Sequence, residues 1–576
     1  MLSGYPVAKP ILRRQTPVEP NAFRTSPPFL FRQHLVMGPR IFAEASVLGL
    51  ALLWIYMVLN EAIVFQDIPA PRLQLAIGIL ASLLLGGTAA TVMAPTLLST
   101  HAKTHSRVEE DSGILVGLVL VPIVIFSRLL VEWAELSSFS QYTHVHLWLS
   151  LVIGTTSLLR LVMKTPWTFA SAAIDAVLVQ VLWLVLPLQE ITSAVHMHMA
   201  DLLFNVLLHY GHAALSMSFT VGEAMLIAQG VAYLVLDALF FTLHHAGLVV
   251  APFPRIPPRD DIAIVLQVGL FSAMLLPLLC TPLFHAYGTS TPRVIRPALP
   301  PLPSLLFLGL LATVALVFVL WTTFLLSMPL HLWVFHTLLV PSKLYVALYW
   351  LALLVVVVPL CPLVADRLHL RQIVARKLYH FLAVLMFLPV SFYEMDMLRL
   401  SYGVAVAVFL VVECVRALSV PPFGRPIALF MRVYLDHRDE GRLVLSHIYL
   451  LLGCALPLWI QSAAPSASTI LIANAGVLAL GIGDAMGATV GSTLGSVQVV
   501  GKKTLEGSVA VFVSMGVVSL ACHTYHYDVL DGRYASAIGF VVATLATAAL
   551  EAITLQIDNL VLPLFYGAVC SLAACA

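Results

Sequence analysis

Long runs of apolar residues, separated by short polar connections, make up most of the chain from Ile41 to Cys575. Most of these runs reach or approach the roughly 20 residues that a transmembrane helix needs. The pattern therefore predicts an all-α, polytopic transmembrane helical protein with about 15 spans. The predicted spans are residues 41–66, 73–99, 113–135, 145–163, 168–189, 221–250, 262–284, 304–328, 344–365, 378–393, 400–420, 443–461, 468–496, 507–523, 534–557 and 560–575.

Composition supports a membrane protein and excludes other classes. Hydrophobic residues make up 60% of the 576 residues and charged residues only 10%, against about 25% charged residues in a soluble domain. The net charge is +1 without a basic stripe, so no nucleic acid partner is expected. The seven cysteines are scattered through apolar segments without a Cys-x-x-Cys pair, so no disulfide partner is expected.

The distribution of charge divides the chain into three regions. Residues 1–40 carry six basic residues against one acid, which predicts a cytosolic tail by the positive-inside bias and, with their proline and serine content, a poorly ordered one. Residues 41–365 hold few charges and are predicted to form an N-terminal transmembrane scaffold. Residues 366–576 gather polar residues in and between the spans, which predicts a C-terminal transmembrane catalytic region.

A ladder of glycines surrounds one acid in this last region. Gly483, Gly487, Gly491 and Gly495 recur every four residues, so they form one stripe on a helix and favour close helix packing. Packing does not explain Asp484, because a carboxylate inside a membrane helix costs about 2.5–3.5 kcal/mol and usually marks a functional or paired position. A divalent-metal ligand or active-site acid is favoured over a structural ion pair. The face of this acid continues through Ala488, Ser492 and Ser496.

A basic loop follows the ladder. Its flexible glycine backbone at Gly501 lets amides approach anionic oxygens, and Lys502 and Lys503 supply compact cations for a polyphosphate. Thr504 and Glu506 adjoin the lysines. The spacing does not match the Gly-x4-Gly-Lys-Ser/Thr phosphate loop, so that soluble NTPase motif is excluded. A plain cytosolic loop with positive-inside charge is the alternative.

A third polar cluster lies near the C-terminus. Glu551, Thr554 and Asp558 fall on one predicted helix face at offsets three and seven, with Gln556 and Asn559 beside them. Polar groups in an apolar helix need a polar cavity or partners. A structural hydrogen-bonded clamp is the alternative to a catalytic role.

Two weaker motifs lie upstream. Arg376 and His380 are one turn apart at the start of a predicted span, and the charged loop 436–442 leads into Ser446 and His447. Acids, cations and histidines thus gather in the last third of the chain. Metal-assisted phosphoryl transfer needs cations and a metal ion on the phosphates and an acid near the nucleophile.

These motifs resemble those of the dolichol kinase family. The resemblance rests on five elements in order over about the last 200 residues: Arg376-Lys377…His380, Asp436-x-Arg-Asp-x-Gly441 running into Ser446-His-Ile-Tyr-Leu450, the Gly483-Asp484 helix, Lys502-Lys-Thr-x-Glu-Gly507, and Leu550-Glu-Ala…Gln556-Ile-Asp-Asn559. Phosphatidate cytidylyltransferases have something similar to the lysine motif alone. This chain departs from the family at Val499-Val500-Gly501, where members often have a bulkier, proline-containing turn.

The resemblance implies transfer of the γ-phosphoryl group of CTP to dolichol, with a divalent cation, Mg²⁺, as helper. It implies an endoplasmic reticulum membrane protein whose nucleotide site faces the cytosol, with dolichol, CTP and the lipid bilayer as partners. The stretch from Ser492 to Glu506 would bind CTP. The residues that this assigns to the nucleotide, together with the neighbouring ladder, are Gly487, Gly491, Ser492, Thr493, Gly495, Gly501, Lys502, Lys503, Thr504 and Glu506.

Each catalytic side chain then receives a role. Asp484 is expected to be the metal ligand or catalytic acid, and Glu506 a metal ligand or loop-orienting group. Lys502 and Lys503 are expected to hold the CTP phosphates. The remaining acids, Glu551 and Asp558, are expected beside the acceptor hydroxyl.

Two other functions are compatible with the same residues. A CTP-dependent phospholipid cytidylyltransferase would release pyrophosphate, whereas a kinase releases CDP. A membrane transporter would use the acids to line a solute or proton path. Against the transporter, the polar groups cluster at one end of the chain, and the sequence shows no internal repeat.

Overall fold

A computed structural model describes residues 27–66, 70–107, 109–136, 140–164, 169–186, 188–248, 259–289, 291–326, 328–432, 435, 439, 441–460, 467–527 and 534–575. These residues are overwhelmingly helical, and the one pair of residues that they bridge in β fashion is Gln498 with Thr504. The predicted all-α class is confirmed. Of the predicted tail, residues 1–26 lie outside the described part, and the rest belongs to the first helix.

Among the described residues, fifteen α-helices precede residue 372, with a 3-10 turn at Leu188–Glu190 and a π-helical segment at Leu207–Gly211. They are α1 Pro27–Gln66, α2 Ala70–Val92, α3 Ala94–Leu97, α4 Thr100–His105, α5 Ile114–Leu136, α6 Gln141–Met163, α7 Phe169–Val185, α8 Ala194–Val206, α9 His212–Ala214, α10 Val221–His245, α11 Asp261–Leu279, α12 Thr281–Tyr287, α13 Pro301–Leu325, α14 Leu330–Leu338 and α15 Pro341–Arg367.

Nine further helices follow, with a π-helical segment at Val477–Asp484 that leads directly into α21. They are α16 Gln372–Ser391, α17 Met395–Leu418, α18 Gly424–Met431, α19 Ser446–Ile460, α20 Ala467–Ala473, α21 Ala485–Leu494, α22 Leu505–Tyr527, α23 Tyr534–Ile553 and α24 Asp558–Cys575.

Thirteen of the described helical stretches are long and apolar enough to cross a bilayer, and three shorter apolar helices accompany them. A polytopic membrane protein is the architecture that these lengths require, because a helix satisfies its own backbone hydrogen bonds in lipid. The shorter stretches are Ser171–Val185, Ser446–Ile460 and Ala537–Ile553.

The centre of the bundle joins the two halves of the chain. Helix α5, from the N-terminal half, packs against α24, the last helix, and α24 also packs against α19 and α23. Both are largely enclosed, with 83% and 78% of their most apolar windows buried. By contrast, α13 and α15 bury only 17% of theirs, so they present most of their surface to the surrounding lipid.

Candidate active site

A large cavity lies mainly among helices α14 to α24 and joins a polar end to an apolar groove. Its volume is about 1740 Å³, whereas ligand pockets are usually about 300–1,000 Å³. Most of its charged side chains come from α16, the π-helical segment, the α21–α22 connection, α23 and α24: Arg376, Lys377, His380, Asp484, Lys502, Lys503, Glu551 and Asp558. Arg107 and Asp439 line it as well. The groove is lined by apolar side chains of α14 to α19, among them Val334, Trp350, Leu354, Val404, Val408, Phe409 and Leu450.

The groove opens sideways, towards the space that lipid would fill. Leu354 of α15 and Val404 and Val408 of α17 line the cavity and are nevertheless about half exposed. Helix α15 packs mainly against α16, and α17 packs mainly against α11, α19 and α18. The two sides of the groove therefore belong to different groups of helices.

Asp484 lies at the polar end, at the last residue of the π-helical segment. Its Oδ2 accepts a hydrogen bond from Lys377 Nζ at 2.5 Å and lies 3.4 Å from His380 Nε2. Both partners come from one face of α16, because they are three residues apart. The ion pair that the sequence offered as an alternative is thus present. No hydrogen bond to Asp484 Oδ1 occurs among the described residues, which leaves that oxygen for another ligand.

Lys377 is a partner of Asp484 to which the residue patterns assigned no role. The sequence pointed to Arg376 and His380 at the start of this span but assigned no role to the lysine between them. The spacing of Lys377 and His380 on one helix face was the available signal, yet nothing local indicated that this face meets the helix of Asp484. Arg371, just before α16, also reaches this region and donates to Ser492 O at 2.5 Å.

The glycine ladder packs against α22. An added Cβ would lie 2.5 Å from Met515 Sδ at Gly483, 2.6 Å from Val511 Cγ2 at Gly487, and 3.0 Å from Thr504 Oγ1 at Gly491. Side chains at these positions would therefore hold the two helices apart. The predicted packing stripe is confirmed, and it brings the helix of Asp484 beside the lysine loop.

The connection between α21 and α22 is a short hairpin. Val499 N donates to Lys503 O at 2.9 Å, and Leu505 N donates to Val497 O at 2.8 Å. Gly501 turns the chain at φ 59°, a left-handed conformation that glycine adopts without strain. The hairpin explains why a glycine precedes the lysine pair.

Glu506 holds the base of this hairpin. Its Oε1 accepts hydrogen bonds from Ser496 N at 3.0 Å and Val497 N at 3.2 Å, and from the Ser496 hydroxyl. Val497 N also lies 3.2 Å from Oε2. Both oxygens are thus engaged by the loop, which fits the loop-orienting role rather than that of a metal ligand.

The hydroxyl groups assigned to the nucleotide bond to their own helix or to its neighbour. Ser492 and Thr493 donate to Thr489 O at 3.2 Å and 2.7 Å. Thr504 is buried and accepts from Gly507 N at 3.3 Å at the start of α22. Gly495 ends α21 beside the Thr504 side chain. The side chains of Thr493 and Thr504 thus shape the loop, and Ser492 and Thr504 also line the cavity.

The two lysines of the pair have different environments. Lys502 is exposed, lines the cavity, and forms no ion pair within the described part of the chain. Lys503 turns inward: its Nζ lies 3.1 Å from Glu551 Oε1 and 3.4 Å from Asp558 Oδ1, and it also donates to Glu551 O. One ammonium therefore binds two carboxylates.

Glu551 and Asp558 do not share a helix, which corrects the sequence interpretation of one face at offsets three and seven. Helix α23 ends at Ile553 and α24 begins at Asp558. The intervening connection leaves the helical path because its backbone and side chains bond to the N-terminal half: Ile557 N donates to Glu223 Oε1 at 2.8 Å. Lys503, rather than helical spacing, brings the two carboxylates together.

Part of the charged loop 436–442 lies outside the described residues, namely Asp436, His437, Arg438 and Glu440. Asp439 is described and buried, and its Oδ1 accepts from the Ser446 hydroxyl at 2.7 Å. Asn559 Nδ2 donates to Ser446 O at 3.3 Å. The start of α19 is therefore joined to the start of α24 at the rim of the cavity.

The site holds a mixed set of charges rather than a preformed metal cage. Among the described residues, no three His, Cys, Asp or Glu side chains group in a way that could hold a metal ion by themselves. Mg²⁺ is usually bound by one or two carboxylates plus substrate phosphates. Asp484 Oδ1 has the chemistry for such a shared ligand.

Comparison with known proteins shows similarity to curated dolichol kinases. The chain is 33% identical to Dolichol kinase EVAN of Arabidopsis thaliana over 372 residues, which cover 61% of this chain and 64% of that protein. It is 36% identical to the dolichol kinase of Homo sapiens over 205 residues, 34% of this chain and 38% of the human protein. It is 38% identical to Dolichol kinase sec59 of Schizosaccharomyces pombe over 194 residues, 33% of this chain and 37% of that protein.

The match spans less than two thirds of the length of each of these relatives. No family model matches the chain, and no solved structure matches it. The similarity to dolichol kinases that the five motifs predict is confirmed.

Proposed function

We propose that this chain transfers the γ-phosphoryl group of CTP to the terminal hydroxyl of dolichol, giving dolichyl phosphate and CDP. One observation carries the proposal: a single cavity combines a charged end with an apolar groove that is open at its side. A long prenyl alcohol needs both, because its hydroxyl must meet a nucleotide from water while its tail stays in hydrocarbon. The names of the relatives support the same substrate and reaction class.

In the proposed reaction, the alcohol oxygen forms a bond to the γ-phosphorus while the bond from that phosphorus to the β,γ-bridging oxygen breaks. The electron pair leaves with CDP, and the hydroxyl proton passes to solvent or to a carboxylate of the polar end. A loose transition state needs little help from a base. The contribution of the protein is mainly to position the two substrates and to stabilise negative charge.

The lysines suit different parts of this task. Lys502 is exposed and lines the cavity, so its ammonium is available to the incoming triphosphate. Lys503 forms ion pairs with Glu551 and Asp558, so it links the hairpin to α23 and α24 at the polar end. Lys377 and His380 hold Asp484 in place.

We include a divalent cation, Mg²⁺, as the ion that accompanies CTP, with Asp484 Oδ1 as its protein ligand. When bound, the ion would neutralise charge that develops on the phosphate oxygens. Glu506 serves the hairpin, because both of its oxygens accept hydrogen bonds from Ser496 or Val497.

We place the protein in the endoplasmic reticulum membrane with the polar end of the cavity facing the cytosol. The basic residues at this end are Arg371, Arg376, Lys377, Lys502 and Lys503, and short cytosolic connections carry an excess of Lys and Arg. CTP would then reach the site without crossing the bilayer.

The test uses the purified full chain in lipid nanodiscs with dolichol and CTP radiolabelled at the γ-phosphate. Labelled dolichyl phosphate together with CDP is the expected result. Release of pyrophosphate with formation of a CDP-lipid would instead identify a cytidylyltransferase. Solute flux in reconstituted vesicles without consumption of nucleotide would identify a transporter. Parallel reactions with ATP, and with EDTA in place of Mg²⁺, test the donor and the cation.

A further inference from the structure

The helices before residue 366 contact the reaction end of the cavity through the connection between α23 and α24. Four hydrogen bonds reach this connection from segments more than 330 residues earlier in the chain. Ile557 N donates to Glu223 Oε1 at 2.8 Å. The Thr220 hydroxyl donates to Gln556 Oε1 at 2.7 Å, and Gln556 Nε2 donates to Asp111 O at 3.4 Å. Arg40 Nη1 donates to Ile553 O at 3.2 Å.

Two buried ion pairs hold the N-terminal residues that make these contacts. Arg107 Nη2 bonds both carboxylate oxygens of Glu223 at 3.0 Å, and Arg40 Nη2 bonds Asp111 Oδ2 at 2.5 Å. All four side chains are less than a tenth exposed. Buried charges are costly unless they are paired, so breaking either pair is expected to destabilise this part of the fold. Arg107 also lines the cavity itself.

Steric fit fixes the same connection. Gly113 has a φ of 70°, and a Cβ added to it would lie 2.2 Å from Gln556 Oε1. The Gln556 side chain is fully buried. The N-terminal half therefore packs closely against Gln556, which belongs to the backbone segment between Ile553 and Asp558.

That backbone carries the two carboxylates that bind Lys503. Glu551 lies two residues before the end of α23, and Asp558 is the first residue of α24. We propose that Glu223 and Asp111, with their arginine partners, are positioning residues, which hold this connection so that Glu551 and Asp558 keep Lys503 at the reaction end. The N-terminal half then supports the reaction through the groups that it positions. This inference rests on the proposed function.

The test compares Glu223→Gln with Glu132→Gln in the nanodisc assay. Glu132 is a matched control: it is buried in α5, pairs with Arg128 at 2.9 Å, accepts from the Thr143 hydroxyl at 2.8 Å, and does not touch residues 551–558. Glu223→Gln should lower kcat about 10- to 100-fold, as small misplacements of catalytic groups do. The KM values for CTP and dolichol should stay near those of the parent protein. Glu132→Gln should retain the parent kcat.

A second pair of variants covers the case in which Glu223→Gln fails to fold. Gly113→Ala presses on Gln556, whereas Gly247→Ala replaces another left-handed glycine, φ 68°, that has nothing within 4 Å of the added carbon. Both substitutions carry the same backbone strain. A loss of kcat in Gly113→Ala alone supports the inference, and equal kcat in the two variants overturns it.

A double-mutant cycle separates positioning from general weakening of the fold. If Glu223 acts through the Lys503 carboxylates, its substitution should lower kcat much less in an Asp558→Asn background than in the parent. Full additivity would overturn the inference. Absence of any lipid product from the parent protein would remove the proposed function, whereas an active parent with equal kcat in the two glutamine variants would remove only this inference.

Discussion

At the scale of single residues, the site pairs its inward-facing charges with opposite ones. Asp484 is held by Lys377 and His380, and Lys503 by Glu551 and Asp558. The two cations come from different elements, α16 and the hairpin. Lys502 differs because it is exposed, and it is the cation best placed to respond to an arriving nucleotide.

Asp484→Asn should abolish most of the activity while the protein still inserts and folds. The substitution keeps the size of the side chain but removes the charge that Lys377 and a metal ion would share. Loss of one electrostatic group of this kind lowers kcat by about 10²–10³-fold. Initial rates of dolichyl phosphate formation measure the effect. Asp201→Asn is the control, because Asp201 is a buried acid whose carboxylate, among the described residues, bonds to Thr156 and Asn205 of the N-terminal half. Near-normal turnover of Asp484→Asn would remove this acid from the site.

Lys502→Ala should weaken the use of CTP more than the use of dolichol. A hydrogen bond to a charged group contributes about 1.5–3 kcal/mol, so kcat/KM for CTP should fall about 10- to 100-fold. Steady-state kinetics with each substrate varied in turn provides the measurement. Lys103→Ala, at an exposed lysine outside the cavity, should behave like the parent. An unchanged kcat/KM for CTP in Lys502→Ala would contradict the assigned role.

Residue patterns predicted the members of this site better than their pairing. Asp484, Glu551 and Asp558 stood out because charge is rare in apolar spans, and the lysine pair stood out because it follows a glycine in a loop that could bind phosphate. The pairing of Lys377 with Asp484 joins residues 107 positions apart, and no local spacing encodes it. The roles of Glu506 and Lys503 likewise became visible only through the atoms that they contact.

At the scale of elements, small residues set the distance between α21 and α22. An added Cβ at Gly507 would lie 2.9 Å from Gly487 O, which is backbone and cannot rotate away. Asp484 precedes α21 and the lysine hairpin precedes α22, so the separation of these helices controls the geometry of the polar end. The stripe thus links packing to chemistry.

Gly507→Ala should therefore reduce both stability and turnover. Overpacking of this kind costs about 1–3 kcal/mol, and the helix of Asp484 would move away from the hairpin. Thermal unfolding in nanodiscs and the rate of lipid phosphorylation test the two effects. Gly516→Ala offers a control in the same helix, because nothing lies within 4 Å of its added carbon. Comparable behaviour of the two variants would show that the close approach does not matter.

Element boundaries were less predictable than element identity. The sequence favours continued helix through Glu551 and Asp558, but α23 ends at Ile553 because the N-terminal half bonds the following connection. The Ile557–Glu223 bond spans 334 positions. A tertiary contact of this length overrides a local helix pattern.

At the scale of the whole molecule, hydropathy alone was sufficient for the fold class. Apolar runs of about 20 residues have one soluble-phase alternative, burial in a large core, and the low charge content excludes it. The groove was not predictable, because it lies between α15 and α17, which are both ordinary apolar helices in sequence. The groove is open because α15 packs mainly against α16 and not against α17.

Val408→Trp should narrow the groove and weaken the binding of dolichol without affecting CTP. Val408 lines the groove and is 50% exposed, so an indole there occupies space that a prenyl chain would use. We expect KM for dolichol to rise at least about tenfold, the scale of a misfit in an apolar pocket. Val541→Trp is the control: Val541 is 52% exposed on α23 and lies outside the cavity. Equal KM values for dolichol in the two variants would place the acceptor elsewhere.

The lateral opening between α15 and α17 has a consequence for the range of acceptors. On the proposed function, only the first isoprene units next to the alcohol lie within protein, and the remainder of the tail extends into the membrane. For polyprenols of different length, the part of the substrate that contacts the groove is then the same. Catalytic efficiency should become independent of chain length once the groove is filled, because the units beyond it would contact lipid alone.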